Sequence, residues 1–410
     1  MNASTGGALA GLRVLDLSRI LAGPWVGQTL ADLGAEVIKV ERPGSGDDTR
    51  SWGPPWLKDS DGRETSESAY FLCANRNKKS LTADISRPEG QALVRQLAER
   101  SDILIENYKV DGLKQYGLDY ESLRELNPRL IYCSITGFGQ TGPYAPRAGY
   151  DFLIQAMGGL MSITGGKDGE PGAGPQKVGV ALTDILTGLY STVGILAALV
   201  HRHASGKGQW LDMALLDVQV ASLANQGSNF LVGGTAPKRM GNAHPNIVPY
   251  QDFPTRDGYM VIAVGNDSQF ARLCETAGHP ELAKDPRYAD NKSRVKNRVA
   301  LIAAMNEFTA QRTTAEWVAA LEAVGVPCGP INNVEQVFAD PQVQARGLRQ
   351  TVDSPMGRIP LVANPIRLSE TPVQYRSAPP ALGQHTREVL RDVLGLTDPD
   401  VDRLQSAGVV

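Results

Sequence analysis

The chain has 410 residues, of which 42% are hydrophobic and 21% charged. This length exceeds a single ordinary core and predicts two domains, and the composition excludes disordered and collagen-like proteins. The formal net charge of -3 excludes the large basic surface that nucleic-acid binding requires, so we expect no nucleic-acid partner.

The N-terminal third alternates strand-like and helix-like segments. Short apolar runs predict strands at 13–17, 36–41, 80–85, 102–106 and 130–135. Helical periodicity predicts helices at 27–33, 88–100 and 120–126. The alternation predicts an α/β fold with a mostly parallel sheet and helices on both faces. The glycine- and proline-rich segment 137–151 comes next, and loops of this kind tend to carry function.

A long apolar segment follows this loop. Residues 178–200 contain one charged side chain, Asp184, among apolar, small and hydroxyl residues. The segment is long enough to cross a bilayer, but an aspartate inside a membrane helix costs about 2.5–3.5 kcal/mol. We therefore predict no membrane span and expect a helix that is buried on all sides in a soluble protein.

The second half of the chain predicts a smaller α+β domain. A strand at 210–213 and a helix at 215–232 precede it, and a hairpin is predicted at 251–264. Further helices are predicted at 268–277, 293–311 and 314–324, and the tail predicts strands at 358–362 and 366–368 and a helix at 386–394. We assign 233–328 to the small domain, and 1–232 with 329–410 to the large one.

Cysteine and histidine spacing indicates neither a disulfide framework nor a metal site. The four cysteines, at 73, 133, 274 and 328, form no CxxC pair. His201 and His203 are two residues apart and do not share a helix face. The N-terminus lacks a basic stretch followed by an apolar run, so we expect no secretory signal and a cytoplasmic protein.

Basic residues near predicted strand ends are candidate phosphate ligands. The first strand–helix turn, SRILAGPWVGQ, lacks the G-x-G-x-x-G pattern of NAD- and FAD-binding proteins. Arg42 follows the second strand, where a ribose phosphate is held in some dinucleotide-binding proteins, and coenzyme A carries such a phosphate. The cationic run 75–79, Lys109 and Lys114 suit the same role. A solvated surface position also explains each of these residues.

Asp184 has three interpretations on the residues alone. It is an N-cap for a helix beginning at Ile185, a buried acid in a hydrogen-bond network, or a reactive carboxylate. Amides at a helix start are expected to keep the carboxylate ionised, and an ionised, poorly hydrated carboxylate is a competent nucleophile or base.

Long ordered motifs resemble the class III CoA-transferases, the group of formyl-CoA transferase and carnitine CoA-transferase. They are LDLSRILAGPWVGQTLADLGAEVIKVERPGSGDDTR, NRNKKSL, ENYKVDGLKQYGLDY, SITGFGQTGPY, AGYD and KVGVALTDILTGLYSTVGILAAL. The resemblance implies a homodimer of two interlocked protomers. Each protomer would have a large Rossmann-like CoA-binding domain, built from both ends of the chain, and a small domain between them.

The resemblance also implies a reaction at Asp184. This carboxylate would attack an acyl-CoA to give an acyl-aspartyl anhydride, and CoA would then form an aspartyl-CoA thioester that the acceptor acid opens. Coenzyme A is a co-substrate in this scheme, and no metal or permanently bound cofactor is expected. The partners are acyl-CoA and free carboxylic acids.

The CoA contacts that the resemblance implies are Ala22, Arg42, Ala83, Asn107 and Tyr108. Lys114 is a sixth predicted contact, because it lies near the carboxyl end of a predicted strand. Leu21, Tyr150, Gly265 and Asn266 are expected to line the active site. Only Gly265 matches the glycine-rich loop that covers the site of formyl-CoA transferase. Leu21 and Gln115 replace a glutamine and an arginine of that enzyme, which argues against formate and oxalate as substrates.

Other functions stay open. The related α-methylacyl-CoA racemases have a GHD motif with a histidine base, where this chain has Gly149-Tyr150-Asp151. Tyrosine, with an ordinary pKa near 10, is a poor base at neutral pH. The alternatives are a racemase or epimerase, a catalytically silent CoA-binding protein and a nucleotide-dependent dehydrogenase. The arginines at 19, 147 and 239 are candidates to hold a second carboxylate of a succinyl-type substrate.

Overall fold

The computed structural model describes residues 6–355 and 357–410 in two units. The large unit holds the chain up to residue 160 together with 177–235 and 342–410. The small unit holds 161–176 and 236–341. The small unit thus includes the segment 161–176, which the sequence places in the large domain, because this segment contacts residues near Arg239: the Asp168 N–H donates to the Arg239 carbonyl (3.1 Å).

Thirteen strands are present in the described residues. They are β1 (Arg13–Asp16), β2 (Glu36–Glu41), β3 (Trp56–Lys58), β4 (Glu64–Ser68), β5 (Lys78–Thr82), β6 (Ile103–Glu106), β7 (Ile131–Thr136), β8 (Trp210–Ala214), β9 (Tyr250–Thr255), β10 (Gly258–Ala263), β11 (Cys328–Pro330), β12 (Arg349–Ser354) and β13 (Gly357–Val362).

The helices lie between and after these strands. They are α1 (Ala22–Asp32), α2 (Ala69–Leu72), α3 (Pro88–Glu99), α4 (Tyr120–Leu126), α5 (Asp151–Met157), α6 (Leu160–Ile163), α7 (Leu182–Ser205), α8 (Leu215–Ala221), α9 (Ala224–Gly233), α10 (Asp267–Ala277), α11 (Pro280–Lys284), α12 (Asn291–Lys296), α13 (Arg298–Thr309), α14 (Thr314–Glu322), α15 (Val334–Ala339), α16 (Pro341–Ala345), α17 (Thr386–Asp392) and α18 (Asp398–Ser406).

A six-stranded parallel sheet organises the large unit, which confirms the predicted α/β fold. Its strand order is β5-β2-β1-β6-β7-β8, and every neighbouring pair is parallel. Strand β1 lies in the middle of the sheet. The chain adds β2 and β5 on one side of β1 and then β6, β7 and β8 on the other. Two antiparallel hairpins, β3–β4 and β12–β13, complete the unit.

Both faces of the large sheet are covered by helices. On β1, Val14 packs with Val26 and Leu30 of α1 on one face, whereas Leu15 packs with Leu93 of α3 on the other. Alternating residues point to opposite faces, and a sheet buried on both faces therefore needs consecutive apolar residues. Each such buried side chain contributes roughly 1.5–3 kcal/mol.

The C-terminal segment packs against the edge strand β5. The Thr82 N–H donates to Thr386 Oγ1 (3.0 Å), and the Asp84 N–H donates to the Val409 carbonyl (2.8 Å). These contacts cover backbone groups that an open sheet edge would leave unpaired. The helix α18 was not predicted, and residues 366–368 form no strand.

The small unit contains the antiparallel sheet β11-β10-β9 and helices α10 to α14. The hairpin predicted at 251–264 is confirmed by β9 and β10. The helix predicted at 293–311 is interrupted at Asn297, whose φ and ψ of -105° and 21° are not helical. The core includes Phe253, Met260 and Trp317, and the Trp317 indole donates to the Thr309 carbonyl (2.7 Å).

Helix α7 is not buried on all sides, contrary to the prediction. It is the one helix of the described residues that is long and apolar enough, by length and composition, to pass as a membrane span. Thr187 and Ile195 face the core, whereas Tyr190, Val193 and Val200 are exposed. The reason is geometric: α7 packs on α1, α5, α8 and strands β7 and β8, and within residues 6–355 and 357–410 the side chains of Tyr190, Val193 and Val200 stay exposed.

Candidate active site

An open cavity of about 950 Å³ lies at the carboxyl ends of the parallel strands of the large unit. Its wall includes Leu17 after β1, Arg42 after β2, Tyr108 after β6 and Gly137 after β7. The chain order of the strands reverses between β1 and β6, and open α/β sheets bind ligands at such a reversal. This position makes the cavity the candidate active site.

Most of the predicted site residues line this cavity. They are Leu21, Ala22, Arg42, Ala83, Asn107, Tyr108, Tyr150 and Asp184. Lys114 is not a wall residue, although its neighbours Gln115 and Tyr116 are. Gly265 and Asn266 belong to the small unit, where Asn266 is the N-cap of α10. The structure therefore brings eight predicted residues together around one cavity.

The turn between β1 and α1 forms part of the cavity wall. Asn107, which follows β6, accepts the Arg19 N–H (2.9 Å) and donates to the Arg19 carbonyl (2.7 Å). Ile20 has a φ of +74°, a left-handed conformation that is costly for a β-branched residue. Its N–H donates to Asp47 Oδ1 (3.2 Å). The strained turn is thus held by side chains that follow two other strands.

Two fully buried lysines lie near this turn, each with a carboxylate. Lys39 Nζ is 2.9 Å from Asp47 Oδ2, and Lys78 Nζ is 2.9 Å from Asp16 Oδ2. Burial alone would raise the pKa of Asp47, but Lys39 and hydrogen bonds from Thr49 outweigh it and lower the pKa to about 2. Buried charges are tolerated when they are paired in this way.

Asp184 enters the cavity wall from the first turn of α7. The helix begins at Leu182 with Ala181 as its N-cap, so the interpretation of Asp184 as an N-cap is wrong. The helix starts one turn earlier than predicted because a partner for its first amide groups comes from elsewhere in the chain.

That partner is Asp151, at the start of α5. Its Oδ1 accepts the N–H of Thr183 (2.8 Å) and the N–H of Asp184 (3.3 Å). Its Oδ2 accepts from Gln155 Nε2 (2.7 Å). Asp151 therefore satisfies the helix terminus and places a second carboxylate next to Asp184.

A close approach of α7 to α1 positions the first turn of α7. A Cβ atom at Gly188 would lie 3.0 Å from the Ala22 carbonyl and 3.1 Å from Trp25 Cβ. Gly188 and Asp184 are four residues apart and share a helix face. The absence of a side chain at Gly188 thus lets Asp184 approach the β1–α1 turn.

The surroundings of Asp184 disfavour its charge. The side chain is 8% exposed, and no donor within residues 6–355 and 357–410 hydrogen-bonds its carboxylate. Burial, followed by the negative charge of Asp151, raises the pKa of Asp184 to about 7. The amides at the helix start do not hold this carboxylate fully ionised, contrary to expectation, because burial and Asp151 outweigh them.

Three further polar groups carry little signal in the sequence. Asp151 follows Tyr150 in the GYD motif, so this motif could have indicated Asp151 as a site residue. Burial and then Asp184 raise the pKa of Tyr70 to about 12, and this tyrosine lies on the four-residue helix α2, which has no clear pattern. Burial raises the pKa of Glu106, at the end of β6, to about 7, and Glu106 accepts the Tyr108 N–H (2.8 Å).

The arrangement suits carboxylate chemistry on an extended ligand. A poorly solvated carboxylate whose pKa is raised to about 7 can, in its ionised form, attack a carbonyl carbon or accept a proton. The cavity has room for a ligand of cofactor size. Among the residues that the structure describes, no three His, Cys, Asp or Glu side chains group as metal ligands.

Comparisons with known proteins agree with this chemistry. A family model described as CoA-transferase family III matches residues 9–386. A succinate–glutarate CoA-transferase of Agrobacterium fabrum is 55% identical over 94% of this chain and 95% of its own length. A succinyl-CoA:glutarate CoA-transferase of Homo sapiens is 46% identical over 98% of this chain and 90% of its own.

A solved structure has the same fold. The crystal structure of a CAIB/BAIF family protein from Brucella suis is 54% identical and superposes with a TM-score of 0.83. The match covers 95% of this chain and all of that one.

Proposed function

The chain belongs to CoA-transferase family III, and from this premise we propose that it moves coenzyme A from a dicarboxylic acyl-CoA to a second dicarboxylic acid. The two relatives described above are named for succinate and glutarate. The single observation that carries the proposal is Asp184: its carboxylate, which pairs with no basic side chain of the described residues, opens onto a cavity large enough for CoA.

Asp184 is the proposed nucleophile. One of its oxygens bonds to the thioester carbonyl carbon of the donor, and the C–S bond breaks to release CoA thiolate and leave an acyl-aspartyl anhydride. The thiolate then attacks the aspartyl carbonyl carbon, which frees the donor acid and gives an aspartyl-CoA thioester. Each step exchanges one acyl bond for another and needs no net proton.

The second half reverses these steps with the acceptor. Its carboxylate attacks the aspartyl-CoA carbonyl and expels the thiolate, which gives a second anhydride. The thiolate attacks the acceptor carbonyl carbon of that anhydride, so the new acyl-CoA leaves and the Asp184 carboxylate is restored. Burial of Asp184 supports this route because water hydrolyses an anhydride, and a nucleophile with little hydration needs little desolvation.

The CoA moiety is proposed to lie along the strand ends. Ala22, Arg42, Ala83, Asn107 and Tyr108 line the cavity there and stay the proposed CoA contacts, with Lys114 beside them. Leu21 and Tyr150 are the proposed lining of the acyl end, and the roles of Gly265 and Asn266 as a covering loop stay predictions.

We also propose a homodimer in the cytoplasm. Val193 and Val200 of α7 and Leu231 and Val232 of α9 are between 63% and 90% exposed, and apolar residues of this size favour burial against a second chain. The four free cysteines fit a reducing compartment. Sedimentation of the purified protein tests the dimer.

Trapping of the covalent intermediate tests the reaction. The protein is incubated with succinyl-CoA and glutarate, glutaryl-CoA is measured, and hydroxylamine is added during turnover. We expect glutaryl-CoA and a hydroxamate on Asp184 in the peptide mass spectrum. Asp217→Asn, which changes an exposed acid in the first turn of α8, is the matched control and should keep full activity.

Three results would contradict the proposal. Turnover that never marks Asp184 excludes the covalent route. Exchange of an α-proton of the acyl-CoA without an acceptor acid indicates a racemase or epimerase. Binding of CoA without any turnover indicates a silent CoA-binding protein.

A further inference from the structure

Five basic side chains line the cavity, and they differ in whether a carboxylate of the protein already pairs with them. They are Arg19, Lys39, Arg42, Lys109 and Arg147. Lys39 is paired with Asp47 and fully buried, and Arg19 Nη1 lies 2.9 Å from Asp48 Oδ2. The charges of these two residues are largely compensated inside the protein.

Arg147 has no such partner. Within residues 6–355 and 357–410 no carboxylate lies within ion-pair distance of its guanidinium, and its side-chain hydrogen-bonding contact is with Met157 Sδ (3.7 Å). The guanidinium carbon lies 5.0 Å from the centre of the Phe138 ring and 4.5 Å from that of Tyr144. Aromatic packing orients a guanidinium without using its N–H donors. Arg147 is therefore an oriented guanidinium in the cavity wall, and no carboxylate of the described residues occupies its N–H donors.

Arg147 lies on a segment that contacts the first turn of α7, and both Arg147 and Asp184 line the cavity. A Cβ atom on Gly149 would lie 2.5 Å from Gly137 Cα, so the two glycines hold the segment against the end of β7. Four residues after Arg147, Asp151 accepts the Asp184 N–H (3.3 Å). Arg147 thus lies on the segment that contacts the nucleophile, whereas Arg42 and Lys109 follow β2 and β6, where the CoA contacts are proposed.

We propose that Arg147 binds the distal carboxylate of the dicarboxylic substrate while Asp184 reacts with the proximal end. The inference rests on the proposed function and names the residue that selects its substrate class. A carboxylate accepts two parallel hydrogen bonds from a guanidinium. A monocarboxylic acyl group leaves the guanidinium without an anion, so the preference for dicarboxylates depends on this one side chain.

Two pairs of substrates, one dicarboxylic and one monocarboxylic, test the role of Arg147. The rate of CoA transfer from succinyl-CoA to glutarate is compared with the rate from acetyl-CoA to butyrate. Arg147→Gln should lower kcat/KM for the dicarboxylic pair by about 100-fold, because charge-assisted hydrogen bonds are lost. The monocarboxylic pair should change by less than about threefold. Arg147→Lys should lie between wild type and Arg147→Gln for the dicarboxylic pair, because it keeps the charge without the fork.

A matched control is available on α4. Arg124 lies over the Tyr120 ring (5.8 Å) and pairs with Glu121 on an exposed surface, so Arg124→Gln removes an arginine that also packs on a ring. It should leave both rates unchanged. Urea unfolding and sedimentation establish that each variant folds as wild type does, and Arg147→Lys carries the test if Arg147→Gln does not fold.

The outcomes separate this inference from the proposed function. The wild-type protein is assayed first, before any variant. If it does not transfer CoA between any pair of acids, the proposed function is refuted. Active wild type with an equal loss for both pairs in Arg147→Gln, or with no loss for either, refutes the role of Arg147 alone. A selective dicarboxylate loss, with a raised KM for glutarate, supports it.

Discussion

Asp47 and Asp184 are two buried carboxylates in the wall of one cavity, and their surroundings have opposite effects. Lys39 and Thr49 lower the pKa of Asp47 to about 2 against the effect of burial, whereas burial and Asp151 raise the pKa of Asp184 to about 7. Both side chains are at most 8% exposed, so burial does not distinguish them.

The difference lies in the neighbours. Asp47 has a lysine and several donors, and it stabilises the turn that begins α1. Asp184 has a second carboxylate and no donor among the described side chains. The two environments move the pKa values of these acids apart. One acid then has a structural role and the other a chemical one. Arg147 extends the contrast, because it is an oriented cation in the wall of the same cavity, and no carboxylate of the described residues lies within ion-pair distance of it.

Removal of the Asp184 carboxylate should have the largest effect on activity. We expect Asp184→Ala to lower CoA transfer by on the order of 10⁴-fold or more, because the covalent step is lost. The variant should still fold and retain CoA, since the change leaves the CoA contacts at the strand ends intact. Rates of glutaryl-CoA formation and CoA binding by calorimetry measure the two effects. Substantial transfer in a folded variant would contradict the role of Asp184.

Removal of the counter-charge makes Asp47 resemble Asp184. Lys39→Met should lower the free energy of unfolding by about 3–5 kcal/mol, because a buried acid is left unpaired. Urea unfolding at pH 7 measures this, with exposed Lys207→Met as the control, which should stay within about 0.5 kcal/mol of wild type. Equal stabilities for the two variants would show that the Lys39–Asp47 pair does not stabilise the fold.

Neutralisation of Asp184 should stabilise the protein at alkaline pH. Its pKa is raised above the unfolded value, so the folded state binds the extra proton, and stability is lost as pH rises from about 4 through about 7. Asp184→Asn removes this loss and should raise the free energy of unfolding at pH 8 by up to about 4 kcal/mol. The gain should shrink toward pH 4. An unchanged or lowered stability at pH 8 would argue against the raised pKa.

The pH dependence of turnover should distinguish Asp184 from Asp47 through the smallest of these effects. The reactive form of Asp184 is ionised, so kcat/KM should fall below pH about 7 and approach a tenfold loss for each further unit. Asp47 should contribute nothing in this range, because its pKa is about 2. Initial rates between pH 5 and pH 9 measure the profile. A flat profile down to pH 5 would place the reactive group near the ordinary aspartate pKa instead.

Local patterns predicted much of the fold. The strand at 36–41 and the helix at 120–126 are confirmed to the residue, because apolar periodicity and turn residues act over a few neighbours. The helix predicted at 215–232 divides into α8 and α9 near Ala224, whose φ is +45°. Nothing in the local composition signals that break, so the pattern of apolar residues predicts one continuous helix.

Local sequence patterns account for the alternation of strands and helices, and they single out Asp184 as one charge in a long apolar segment. Which charges are paired depends on the folded chain. Asp47 meets Lys39 across a turn, Asp184 meets Asp151 from 33 residues away, and Arg147 meets no carboxylate of the described chain. Burial and pairing depend on contacts between distant segments of the chain. These contacts give Asp47 a structural role and leave Asp184 available for chemistry.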